Sequence, residues 1–299
     1  MAKENKATDA AALAERLAVV ENIKKALEKG DTFVPVELGD PTVTPEMIKE
    51  RIVPFDLERR KLINKIKAKI AARIAGKLSD KVNFDTEIVG IENYLAVKGA
   101  ALVTTNHFNP TDSTHLRYLM KKVGDKSRLN IIIQEKNVFM TGFFGFLMNN
   151  CYTLPVSKNL SYMAGSLKPT LEKLFKRGDK VLIYPEQEMW FNYKRPRPTR
   201  IGAYHYAAEF GIPVIPCFVE MRERDTEGEN GFKELRYILH IMPPIYPDDS
   251  LPFREKRDKM QTIDYNYKVK CYEEAYGRSI DAPFSPEEDI AGYPKALCT

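Results

Sequence analysis

The chain has 299 residues, room for one large α/β domain or two small ones at about 150 residues per domain. Its 43% hydrophobic and 29% charged content, with a mean hydropathy of -0.38, excludes a disordered, collagen-like or multispanning protein. The formal net charge of +5 gives a mild bias toward anionic partners without choosing among them.

In chain order, Thr8 and Asp9 are placed to cap a first helix with Leu13, Leu17, Val20, Ile23 and Leu27 at helical spacing, ending near Gly30. Thr32 to Pro54, with prolines at 35, 41, 45 and 54, reads as a linker holding one short helix opened by Thr44-Pro45. Leu57 to Ser79 then reads as a basic amphipathic helix whose apolar stripe is Leu62, Ile63, Ile66, Ile70, Ile74 and Leu78. Eight cations, including Lys65, Lys67, Lys69 and Arg73, stand there against the single Glu58. Such a segment either packs its stripe on the core or lies in a membrane interface, and the charge density favours an anionic membrane surface. The expected organisation is an N-terminal helical region over residues 1–80 and a main domain, closed by a C-terminal helix, over residues 81–299.

From Thr86 onward short β-rich runs alternate with helical ones. Strands are expected at Thr86–Ile91, Ala101–Thr105, Asn130–Gln134, Val181–Tyr184, Val214–Val219 and Arg236–Ile241. Helices are expected near Pro110–Val123, Phe139–Asn149, Tyr162–Arg177 and Ala203–Phe210, with a last long helix from Pro252 to about Tyr276. This alternation gives the fold class α/β, a mixed, partly parallel sheet flanked by helices. The longest apolar run, Val138 to Met148, is well short of the roughly 20 residues of a membrane-spanning helix. The N-terminus lacks the apolar core of a secretory signal. Cys151, Cys217, Cys271 and Cys298 are scattered, without CxxC pairs or zinc-site spacing, so no metal is expected and a reducing cytosol is the simplest compartment.

The chemistry concentrates after the strand Ala101–Thr105. His107 stands in a turn, Asn109 is placed to cap the next helix with Pro110 at its first position, and Asp112 follows one turn on. A carboxylate there can accept the imidazole N–H and leave the other ring nitrogen free as a base. The same residues could be only a capping box. Phe139, Phe143 and Phe146 recur at helical spacing in a segment apolar nearly all round, which is either core or the lining of an apolar slot. His115, His205 and His240 have no motif around them, and there is no basic-aromatic or helix-turn-helix signature for nucleic acid.

Asn106-His107-x4-Asp112 at a strand end resembles the signature of the glycerolipid acyltransferases, the family of bacterial 1-acylglycerol-3-phosphate acyltransferases. Leu154-Pro155-Val156-Ser157-Lys158-Asn159 resembles the family's second block, with Lys158 where an arginine helps bind the acceptor phosphate. Val181 to Glu186 resembles the strand entering the third, Pro-Glu-Gly-Thr-Arg block, and Gly211-Ile212-Pro213-Val214-Ile215-Pro216 the fourth. The resemblance spans roughly Ile88 to Val219. It departs where Gln187-Glu188-Met189 replaces Gly-Thr-Arg and where Asn109 replaces a serine. Arg195 and Arg197, in the basic loop that follows, are candidates for the vacant phosphate contact.

The resemblance implies an acyltransferase of phospholipid synthesis, moving a fatty acyl group from acyl carrier protein or coenzyme A to a lysophosphatidic-acid-like hydroxyl. His107 would be the general base, Asp112 its orienting partner, Glu186 part of the acceptor site, and Phe139, Phe143 and Phe146 the lining of an acyl-chain pocket. No cofactor beyond the acyl thioester is implied, and the expected location is cytoplasmic, peripheral at the inner face of the membrane. The altered third block leaves two alternatives: a phosphate-free lipid acceptor, or a non-catalytic lipid-binding relative.

Overall fold

The computed structural model describes residues 2–228 and 231–294, with the side chains of residues 2–9 and 56 left out. Cys298 therefore lies outside the described residues. The chain opens with α1 (Ala2–Glu28), longer than its expected cap at Thr8-Asp9, then α2 (Pro45–Arg51), α3 (Phe55–Arg60) and α4 (Leu62–Val82). Thr44 caps α2 as anticipated, its hydroxyl accepting from the Met47 N–H, with Pro45 at the first position. The expected single helix over Leu57–Ser79 is two, because Lys61 turns to φ -60, ψ 142 between α3 and α4.

There follow β1 (Glu87–Val89), α5 (Ile91–Ala96), β2 (Ala101–Thr104), α6 (Ser113–Lys122), β3 (Leu129–Gln134), α7 (Gly142–Asn150) and β4 (Thr153–Val156). Next come α8 (Leu160–Tyr162), α9 (Lys168–Lys176), β5 (Lys180–Ile183), α10 (Gly202–Phe210), β6 (Val214–Glu227), β7 (Lys233–Ile241), α11 (Phe253–Tyr276) and α12 (Pro286–Asp289). The strands form one seven-stranded sheet in the order β1-β7-β6-β2-β5-β3-β4. Every pair is parallel except β6 with β7, so the sheet is mixed and mostly parallel, flanked by helices. The strand the sequence does not announce is β4. It is four residues long and contains Pro155, and the ladder accommodates that proline because β4 is an edge strand.

The main core is built on the fully buried β2 and β5, with Leu102, Val103, Val181 and Leu182 at its centre. A second core joins α1 to the far end of the chain, where Val19, Val20, Ile23 and Ala26 pack with Trp190, Phe191, Tyr193, Phe232 and Ile290. The N-terminal helix is thereby fastened over the segment that follows β5. α4 packs differently. Its buried residues are Ala71, Ala75 and Ser79, small side chains that let it approach α6 and α7, while Leu62, Ile63, Ile66 and Ile70 face outward. No helix among the described residues is long and apolar enough to cross a membrane.

Candidate active site

The site forms where β2 ends. Thr105 and Asn106 continue buried, and Asn106 straddles the backbone of Val219 in β6, donating to its carbonyl at 3.0 Å and accepting from its N–H at 2.8 Å. That two-point clamp fixes where the chain leaves the sheet, and His107 is the next residue. Its carbonyl accepts from the Trp190 N–H at 3.0 Å, and that of Phe108 from the Asn192 N–H at 3.0 Å, so the loop after β5 is laid against the turn as a second backbone support.

His107 Nδ1 lies 2.6 Å from Asp112 Oδ2, with 19% of the histidine side chain and 3% of the aspartate side chain exposed. Asp112 also accepts from the Phe108 N–H at 3.3 Å and, on Oδ1, from the Tyr184 hydroxyl. A carboxylate so supplied with donors fixes Nδ1 as the protonated nitrogen and leaves Nε2 as the acceptor. The Tyr184 ring stacks on His107, centroids 4.0 Å apart at 16°. Burial, then the adjoining charge of Asp112, push the Tyr184 phenol well above its ordinary range, so it remains a donor. Tyr184 stands immediately before Pro185-Glu186, inside the recognised block. Nothing in its residue type marked it as a partner of Asp112.

The expected helix start at Pro110 is displaced. Asn109 spends its side chain on Thr111, accepting from its N–H at 3.0 Å and its hydroxyl at 2.9 Å, and α6 begins only at Ser113. Asp112 is thus freed from a capping box, and its carboxylate turns back to the histidine.

Glu186 is 2% exposed and organises the other side of the turn. Its Oε2 accepts from the His107 N–H at 3.3 Å and from the Arg197 guanidinium at 3.0 Å, and its Oε1 from the Arg197 N–H at 3.0 Å. Gln187 follows at φ 66, a left-handed conformation that favours glycine, at the position where the resembled block carries one.

The basic loop corrects two expectations. Arg197 does reach the third block, but its guanidinium is buried and committed to Glu186, the Thr32 carbonyl at 3.0 Å and the Glu188 carbonyl, and it lies over the Trp190 ring. Arg195 is turned away, bound through two nitrogens to Asp289 at 2.7 and 2.6 Å and to the carbonyls of Ile280, Ala282 and Pro283. Neither guanidinium has a face left for a phosphate. Lys158 is exposed in the turn after β4, at the same end of the sheet as His107 and with β5 and β3 between.

The three phenylalanines do not line one slot. Phe139 ends a 3-10 turn and packs on the main core, Phe143 is 51% exposed, and Phe146 packs toward Ala71 and Ala75 of α4. The reason is the break at Met140–Thr141, which starts α7 at Gly142 and puts Phe139 out of helical phase with the others. His115 is buried against Asn83, and His240 faces Glu220 at 2.7 Å, away from the site. Among the described residues no group of three or more His, Cys, Asp and Glu is arranged to hold a metal ion.

Residues 86–220 match the family model described as Acyltransferase. Among solved structures, the chain is similar to the 1-acyl-sn-glycerophosphate (LPA) acyltransferase PlsC from Thermotoga maritima, at 14% identity and a TM-score of 0.46, over 78% of this chain and 89% of that one. No curated protein matches.

Proposed function

We propose that this chain, whose residues 86–220 match the Acyltransferase family model, moves a fatty acyl group from a thioester to the hydroxyl of a lysophosphatidic-acid-like acceptor at a membrane surface. The observation that carries this reading is the His107–Asp112 contact at 2.6 Å, held in a turn that Glu186, Tyr184 and Asn106 brace from three sides.

The acceptor hydroxyl attacks the thioester carbonyl while His107 Nε2 takes its proton, a general-base contribution of roughly 10²- to 10⁴-fold. Asp112 holds the imidazole in the required tautomer and stabilises the imidazolium. Collapse of the tetrahedral intermediate breaks the carbon–sulfur bond, the imidazolium returns the proton to the leaving thiolate, and ester and free thiol result. Backbone N–H groups are the natural oxyanion donors. Those of Gln187 and Glu188 are occupied by the carbonyls of Tyr184 and Glu186 at 3.0 and 2.9 Å, and those of His107 and Phe108 by the carboxylates of Glu186 and Asp112 at 3.3 Å, so both turns already spend these four N–H groups within the fold. Acyl carrier protein and coenzyme A are both donors compatible with this chemistry, and no further cofactor enters it.

Lys158 is the cation we assign to the acceptor phosphate. Membrane contact is assigned to α3 and α4, where Leu57, Leu62, Ile63, Ile66 and Ile70 are each 45% exposed or more beside Lys65, Lys67, Lys69 and Arg73. Basic residues near an anionic surface contribute about 1 kcal/mol each. The enzyme would work peripherally, at the cytoplasmic face. A second reading, a phosphate-free lipid acceptor, is favoured by one observation: Met189 stands where the resembled block has arginine, and both nearby arginines are buried in other pairs.

The test is acyl transfer by the purified chain with liposomes, lysophosphatidic acid and a labelled palmitoyl donor, beside His107→Ala and beside a phosphate-free lysolipid. Turnover of lysophosphatidic acid that disappears in His107→Ala is expected. Turnover of the phosphate-free acceptor alone would replace the first reading by the second, and undiminished turnover by His107→Ala would remove His107 as the base.

A further inference from the structure

Under the first half of α4 lies a cavity of about 890 Å³, within the roughly 300–1,000 Å³ range of small-molecule sites. Its walls come from α3 and α4, from α7, from the last turns of α9, and from the beginnings of β3 and β4 at Asn130 and Leu154. His107, by contrast, lies three residues beyond the C-terminal end of β2, which runs parallel to β5 and through it to β3. None of His107, Asp112, Tyr184 and Glu186 lines the cavity.

Among the described residues the lining holds nine cations and one carboxylate, Glu58, which Lys61 already neutralises at 2.6 Å. Arg59 donates to the Thr153 carbonyl and Arg177 pairs with Asp179. Arg60, Lys65, Lys67, Lys69, Arg128 and Lys173 are gathered there without an ion pair among the described residues. Like charges on a concave wall repel one another and focus their field into the space they enclose, and a bound anion relieves both. Phe55, Leu154 and Leu174 add an apolar floor.

The helix above explains what the anion is attached to. Positions 64, 68, 71 and 75 share one side of α4 at helical spacing. Ala71 and Ala75 use that side to pack on the body, and Asn64 and Ala68 use it to roof the cavity. Leu62, Ile66 and Ile70 point the other way, exposed. The cavity therefore lies between the body of the domain and a helix whose outer surface is apolar, at the depth where a bilayer presents its headgroups.

The geometry points to a second lipid site in this cavity, taking the phosphate headgroup of an anionic phospholipid, its glycerol and first acyl carbons resting on Phe55, Leu154 and Leu174. This rests on the reading of α4 as a membrane-contacting helix. Arg128 and Lys173, on the body wall and not on α4, separate the two: they serve the headgroup site without belonging to the apolar face.

Binding of the full chain is measured to phosphatidylcholine vesicles with and without phosphatidylglycerol, for wild type, Arg128→Gln/Lys173→Gln, and a control, Lys29→Gln/Lys98→Gln, that removes two exposed cations elsewhere. Circular dichroism melts verify folding, with Lys173→Glu alone as a second variant. The cavity variant is expected to lose about tenfold or more of its affinity for phosphatidylglycerol vesicles, the control about twofold or less, and both to bind pure phosphatidylcholine as wild type does. Inorganic pyrophosphate should compete wild type off phosphatidylglycerol. Equal losses in cavity variant and control would overturn the site, as would binding by wild type that ignores phosphatidylglycerol, which leaves the membrane reading of α4 standing. Absence of any vesicle binding would sink both. Stabilisation by pyrophosphate without competition against vesicles would give the cavity a soluble occupant and overturn the lipid assignment.

Discussion

Two runs of cations, Arg59 to Lys77 and Lys194 to Arg200, look alike on paper and end in opposite states. In the second, Arg195 and Arg197 are buried, and each meets a buried carboxylate and several backbone carbonyls. In the first, Lys65, Lys67, Lys69 and Arg73 stay exposed, with no ion pair among the described residues. The difference lies in residues distant in sequence. Asp289 comes from α12 to meet Arg195, whereas the elements around α4 bring mainly more cations. Local charge density reports how much charge a segment carries, and the tertiary partners decide whether it braces the fold or faces a ligand.

The sharpest way to break this comparison is to remove a buried arginine. Arg195→Met removes the two-nitrogen partner of the Asp289 carboxylate, 0% exposed, and leaves it Arg278 at 3.3 Å and the Ser285 N–H at 2.8 Å, so it should cost about 3 kcal/mol in chemical denaturation, the lower end for a broken buried pair. A loss under about 1 kcal/mol would place Arg195 with the surface cations. Arg197→Met should cost a similar amount and also lower kcat, since it strips Glu186 of the group that holds it against the His107 N–H. Full activity in Arg197→Met at temperatures where it is folded would show that Glu186 needs no such support.

Tyr184→Phe separates the hydroxyl from the ring. The stacking on His107 survives while Asp112 loses one of its donors, so stability should fall by about 1 kcal/mol. The remaining carboxylate binds the imidazole proton more strongly, so the lower limb of the pH–rate profile should move to higher pH. An unmoved profile with lowered kcat would assign Tyr184 to packing alone.

His115 gives stability a pH signature of its own. Burial pulls its pKa down to about 4, whereas in the unfolded chain it titrates near 6.5. The unfolded state therefore binds the proton first as pH falls. Stability should be intact above about 6.5 and decline toward pH 4, at up to about 1.4 kcal/mol per pH unit from this group. Comparing wild type with His115→Gln over that window checks it, since the variant should lose that part of the slope.

Most strands were legible because β2, β3 and β5 are short, bounded apolar runs, and His107 and Asp112 because they stand in a recognisable turn. The rest depended on contacts with no local signature. β4 is hidden by Pro155 at an edge, and the acyl slot of Phe139, Phe143 and Phe146 dissolves because a turn at Met140–Thr141 breaks their phase. The helix period of α4 is plain in the sequence, yet it packs through Ala71, Ala75 and Ser79, since small residues let helices approach and the isoleucine stripe is left outside. Amphipathicity names two faces and does not say which one the core takes.

That last point carries the smallest expected effect, and the one most telling for the comparison. If the α4 cations bear no structural load, Lys65→Gln/Lys67→Gln/Lys69→Gln/Arg73→Gln should unfold within about 0.5 kcal/mol of wild type. Because the four repel one another across an exposed helix, any change should be toward greater stability, and it should vanish at high salt. The same variant should bind anionic liposomes far less well. Wild-type stability with lost liposome binding would set this run apart from the buried arginines of the other loop by measurement. A destabilisation of several kcal/mol would mean that α4 is held to the body by its charges and that its apolar face is exposed for another reason.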